Sequence, residues 1–71
     1  MNPQLREIGR LAQHVKCEID MQRGGKIILK RKKMALTGAL HPLAAMAWLH
    51  RETQRWDEAM AKAKLARQQH H

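Results

Sequence analysis

The hydrophobic residues near the start of the chain recur at spacings of three and four residues: Leu5, Ile8, Leu11, Ala12 and Val15. This spacing places them on one face of a helix. Asn2 and Pro3 precede the pattern, and they suit an N-cap and a first helical position. The pattern therefore predicts an amphipathic helix over residues 3–13.

The period changes at Val15, where hydrophobic and polar residues begin to alternate as they do in a half-buried strand. A pair of glycines, Gly24 and Gly25, ends this segment, and the next five residues favour β-structure. These features predict a β-hairpin over residues 15–32. The alternative is that the first helix continues to Met21, which would give an all-α helical hairpin.

The register of the hairpin follows from its loop. If residues 23–25 form a three-residue loop with a left-handed glycine, apolar residues of the two strands face each other. The facing pairs are then Met21 with Ile27, Ile19 with Leu29, and Glu18 with Lys30. A shift of one residue would set a methionine against a lysine, so the hydrophobic pattern favours this register.

A long helix is predicted over residues 42–68, after a connector at 34–40. Pro42 suits the first position of this helix, and no glycine or proline follows it. The helix carries a stripe at heptad-like spacing: Met46, Leu49, Thr53, Trp56, Met60 and Ala63. About 26 helical residues would span roughly 39 Å, more than a hairpin and a three-turn helix can cover. We therefore expect Met46, Leu49, Trp56 and Met60 of this stripe to form core or a homodimer interface.

These elements predict one α+β domain over residues 1–71. A chain of 71 residues cannot hold several domains, and its 44% hydrophobic content is too high for a disordered tail. With only two aromatic residues, both tryptophans, the core must be aliphatic and thin. The composition therefore points to a small module that binds a partner or a second copy of itself.

The charge is concentrated in one segment of the chain. The formal net charge is +8, and residues 23–34 carry six basic residues and no acidic residue. One or two lysines are enough to protect an exposed strand edge from aggregation. Because all four residues at 30–33 are basic, we expect a cationic surface that contacts phosphates or carboxylates.

This surface leads to two hypotheses about function. The first is a small nucleic-acid-associated regulatory protein that contacts the phosphate backbone of DNA or RNA. The expected contact residues are Arg23, Lys26, Lys30, Arg31, Lys32, Lys33, Arg51 and Arg55. The second hypothesis is an adaptor or inhibitor that docks on an acidic protein surface, possibly of a nucleic-acid-processing enzyme. Trp48, which lies off the stripe, would pack under the hairpin or anchor such a protein partner.

Catalysis, metals and membranes are not expected. The chain has no serine, and its acidic residues do not form a convergent pair. The spacing of Cys17 and the histidines does not fit a structural zinc site, and we expect no cofactor. The single cysteine and the lack of a long apolar run predict a cytoplasmic protein without a membrane anchor. His70 and His71 could be native or part of a tag, and they carry no weight in either hypothesis.

Overall fold

The computed structural model describes residues 3–69, which form two helices and a three-stranded sheet. In chain order the elements are α1 (Pro3–His14), β1 (Glu18–Met21), β2 (Ile27–Arg31), β3 (Met34–Ala35) and α2 (Pro42–Gln69). The α+β prediction is confirmed, and the all-helical alternative is wrong. Both helices end one residue later than the sequence pattern predicts. The possible capping residue Asn2 and the terminal histidines lie outside the described residues.

The first hairpin has the predicted register. β1 and β2 pair antiparallel, and Met21 faces Ile27 while Ile19 faces Leu29. The loop is a short 3-10 turn at Arg23–Gly25. Gly24 and Gly25 both have φ near +80°, in the region that glycine adopts without steric cost. The apolar pairing and the glycine loop therefore specify the same alignment.

The first strand begins later than the sequence pattern predicts. The predicted strand begins at Val15, but β1 begins at Glu18, because the chain first completes a helix C-cap. The amide of Cys17 donates to the carbonyl of Ala12, and the amide of Lys16 donates to that of Gln13. These are the two hydrogen bonds of a Schellman motif.

The third strand was not predicted. β3 pairs with β2 across a two-residue turn at Lys32 and Lys33, within the segment expected to end the hairpin and begin a connector. The rest of the predicted connector runs back alongside β2, because Ile27 and Leu40 exchange backbone hydrogen bonds of 2.7 and 2.8 Å. Nothing in the local pattern signals this strand, because a lysine pair does not suggest a tight turn.

The core lies between the inner face of the sheet and the two helices. Its buried residues are Ile8, Leu11, Ala12, Val15, Ile27, Leu29, Ala45 and Leu49. They come from α1, its C-cap, β2 and the first two turns of α2. The core is aliphatic, as the composition predicts.

The stripe on α2 divides into two parts. Leu49 is buried, and Met46 and Trp56 are partly buried against the core. Met60 is 60% exposed, so the prediction that it could be a core residue is wrong. The described residues extend over 53 × 25 × 16 Å, because the second half of α2 continues past the sheet. Self-association of this half stays a prediction.

Candidate functional site

The four consecutive basic residues at 30–33 do not form one surface. Lys30 projects from the outer face of the sheet, where its Nζ lies 2.8 Å from a carboxylate oxygen of Asp20. Glu18 is directly opposite Lys30 on the same face. This face therefore carries two acids for one lysine, and the expected cationic ribbon along the hairpin is wrong for Lys30.

Arg31 turns inward instead of outward. Its Nη2 donates to the backbone carbonyl of Val15 at 2.8 Å and lies 3.4 Å from a carboxylate oxygen of Glu52. Its guanidinium carbon lies 5.2 Å from the ring centroid of Trp56, a cation–π distance. Arg31 thus connects β2 to α2 and to the C-cap of α1, and it is a structural residue rather than the free contact that the sequence suggested.

Cys17 lies beside this arginine. Burial raises the pKa of the Cys17 thiol, although the nearby guanidinium of Arg31 favours the thiolate. Its Sγ accepts a long contact of 3.7 Å from Nη2 of Arg31. A thiol with a raised pKa stays protonated at neutral pH and is a poor nucleophile.

Three lysines adopt a backbone conformation in which lysine is rare. Lys16, Lys32 and Lys33 have φ values of 58°, 52° and 67°. Lys16 stands at the position of the Schellman motif that is usually glycine. The other two fill a two-residue hairpin turn with positive φ at both positions, where Asn-Gly is preferred. Each left-handed lysine costs about 1 kcal/mol relative to glycine.

These lysines lie at the same end of the sheet. The bond from Arg31 to the carbonyl of Val15 holds the residue before Lys16 against the end of β2, and Lys32 and Lys33 follow directly. All three side chains are exposed, and none forms an ion pair with any residue described from 3 to 69. We call Lys16, Lys32 and Lys33 the lysine cluster.

The remaining predicted cations lie on two other parts of the molecule. Arg23 and Lys26 are exposed at the opposite end of the sheet, roughly 20 Å from the lysine cluster along six residues of strand. Arg51 and Arg55 are exposed on α2. Arg55 lies one turn after Glu52, whose carboxylate meets the end of β2, whereas Arg51 points about 100° away from Glu52 around the helix axis.

Trp48 has two expected roles, packing under the hairpin and anchoring a protein partner. It is partly buried and packs against the core, so it is not a freely exposed anchor for a partner. Trp56 also packs against the core, and its ring forms the cation–π contact with the guanidinium of Arg31.

Lys16 is the member of the cluster that sequence reasoning missed. The alternation of residues 15–22 makes it an ordinary outward position of a strand. The signal that was available is the end of the α1 pattern near His14, which leaves a helix C-cap without a nearby glycine.

The described residues contain no group of three or more side chains that could hold a metal ion. Within residues 3–69, neither helix has the length and apolar character needed to cross a membrane. Comparison of the chain with protein-family models, curated proteins and solved structures found no match.

Proposed function

We propose that this protein is a small nucleic-acid-associated protein, not an enzyme, that binds phosphates through the lysine cluster. Arg51 and Arg55 would extend this contact along α2. The proposal keeps the predicted partner and cytoplasmic setting but moves the contact from the strand to the turns at its end.

The observation that carries the proposal is the residue choice at the three left-handed positions. Glycine or asparagine would fold more favourably at Lys16, Lys32 and Lys33. Strain of this kind is typical of functional sites, where a side chain is retained for its chemistry. The three side chains share exposure and positive charge, and the phosphates of nucleic acids are anions that such a cluster neutralises.

The electrostatics agree with this choice of site. Lys30 and Arg31 already have carboxylate partners, but the lysine cluster has none among the described residues. An anionic ligand would relieve the mutual repulsion of its charges and release counterions.

The direct test is a fluorescence anisotropy titration with duplex DNA, single-stranded DNA and RNA across a range of salt concentrations. Three neutralised phosphates give a slope of about −2.7 in log affinity against log salt for B-form DNA. In the Lys32→Gln, Lys33→Gln double variant we expect this slope to become shallower by about 1.8 units. The Arg23→Gln, Lys26→Gln variant loses the same charge at the other end of the sheet and should bind nearly as the parent.

Equal losses in the two double variants would contradict the proposal, since they would mean that binding responds only to net charge. A parent protein that binds no nucleic acid but binds a polyglutamate peptide would also contradict it. That result would favour the adaptor that docks on an acidic protein surface.

A further inference from the structure

The second half of α2 extends beyond the rest of the molecule. Its residues 57–68 are all exposed, and they span roughly 18 Å. After Glu58 this segment contains Lys62, Lys64 and Arg67 and no acidic residue. We call residues 57–69 the distal segment.

The lysine cluster lies at the end of the sheet that is nearer to this segment. The start of β2 pairs with Leu40, which lies just before α2, and the end of β2 reaches Glu52 and Trp56. β2 therefore runs beside α2 in the same direction, and the turn after it points towards the distal segment. We call the space between the lysine cluster and the face of the distal segment that continues Leu49 and Trp56 the notch.

The face of the distal segment that continues the stripe carries small side chains and is flanked by charge. Ala63 continues the stripe of Leu49 and Trp56, so it faces the notch, and Ala59 and Ala66 lie beside it. Lys62 and Lys64 are about 200° apart around the helix axis, one on each flank of this alanine surface. A shallow groove lined by Met60, Ala63, Lys64 and Arg67 lies on the Lys64 side of this surface.

Two acidic residues lie at the base of the segment. Asp57 is 2.9 Å from Nε2 of His14 and is therefore occupied within the molecule. Glu58 is one turn before Lys62, but these two side chains form no ion pair in the described part of the chain. The cations of the distal segment thus remain available to an external anion.

We infer that the ligand is B-form duplex DNA and that the distal segment lies in its major groove. This inference rests on the proposed function and deepens it. The groove is about 12 Å wide and admits a helix, and the alanine surface permits close approach to its floor. The lysines on the two flanks would meet phosphates of both strands, and the lysine cluster would meet phosphates at the edge of the groove.

Other nucleic acids fit this surface less well. Proteins that grip single strands stack bases on exposed aromatic side chains. The chain contains no phenylalanine or tyrosine, and its two tryptophans, Trp48 and Trp56, both pack against the core. The major groove of duplex RNA is too deep and narrow to receive a helix.

The test compares three labelled probes of one sequence: duplex DNA, single-stranded DNA and duplex RNA, each titrated at about 0.1 M salt. We expect duplex DNA to bind at least about fivefold more tightly than the other two. The Lys62→Gln, Lys64→Gln variant should lose about tenfold or more in affinity for duplex DNA, and its salt slope should become shallower by about 1.8. Glutamine supports a helix almost as well as lysine, so the fold is retained.

The Arg23→Gln, Lys26→Gln variant is the matched control, because it removes two charges at the far end of the sheet. A second matched pair tests the shape of the surface. Ala63→Trp enlarges the side that faces the notch, and Ala61→Trp enlarges the opposite side of the same turn. Only the first should weaken binding to duplex DNA.

Three results would overturn the inference. The first is equal affinity for the three probes, with a loss of affinity only in the Lys32→Gln, Lys33→Gln variant. This result would contradict binding of the distal segment in the major groove and leave the proposed function intact. Equal effects of Ala63→Trp and Ala61→Trp would do the same. A parent protein without salt-dependent binding to any of the probes would overturn both proposals.

Discussion

Each of the two hairpin turns of the sheet has two residues at positive φ, but the residue types at these positions differ. The turn between β1 and β2 places positive φ at Gly24 and Gly25. The turn between β2 and β3 places positive φ at Lys32 and Lys33. The first turn uses the residue that minimises steric cost, and the second accepts a cost of about 1 kcal/mol at each position. The proposed binding of anions by Lys32 and Lys33 would account for this difference.

The largest effect on stability is expected at Arg31, which holds the lysine turn to the rest of the molecule. We expect Arg31→Gln to lower the free energy of unfolding by about 2 kcal/mol, because it removes hydrogen bonds to Val15 and Glu52 and a cation–π contact. Urea denaturation followed by circular dichroism measures this change. A loss below about 0.5 kcal/mol would mean that the end of β2 is held in place by other contacts.

An intermediate effect is expected in the glycine turn. Gly24→Ala should lower the free energy of unfolding by about 1 kcal/mol, because alanine is strained at positive φ. A side chain at this position would meet no atom within 4 Å, so the cost arises from the backbone alone. Gly9→Ala in α1 is the matched control: it also meets no atom and should raise stability, since alanine favours a helix. A stable Gly24→Ala variant would show that positive φ is not costly in these turns.

The smallest effect is expected at Lys30, the neighbour of Arg31. Its ion pair with Asp20 is partly exposed, so Lys30→Gln should change the free energy of unfolding by no more than about 0.5 kcal/mol. Its affinity for nucleic acid should also change little, because this charge already has a carboxylate partner. If Lys30→Gln weakened binding as much as Lys32→Gln, the result would support the sequence-based prediction that all four basic residues at 30–33 form one contact surface.

The fold was more predictable than the site. Both helices and the register of the first hairpin follow from hydrophobic spacing, which reports directly which side of an element is buried. β3 was missed because its two residues, Met34 and Ala35, are both exposed and carry no periodic signal.

The site was harder to predict because the charge of a residue does not reveal its direction or its partners. Lys30 and Arg31 are next to Lys32 and Lys33 in sequence, yet they meet Asp20 and Glu52 through tertiary contacts. The backbone angles also distinguish the members of the run, and those angles arise from the unpredicted turn into β3.

The most direct measurement is made on a double variant, Lys32→Asn with Lys33→Gly, which installs the preferred residues of a two-residue hairpin turn. Its free energy of unfolding and its affinity for duplex DNA are both compared with those of the parent. We expect the variant to be more stable by about 1 kcal/mol or more and to bind about tenfold or more weakly at 0.1 M salt. A variant that gains stability and binds DNA as tightly as the parent would contradict the role of these lysines.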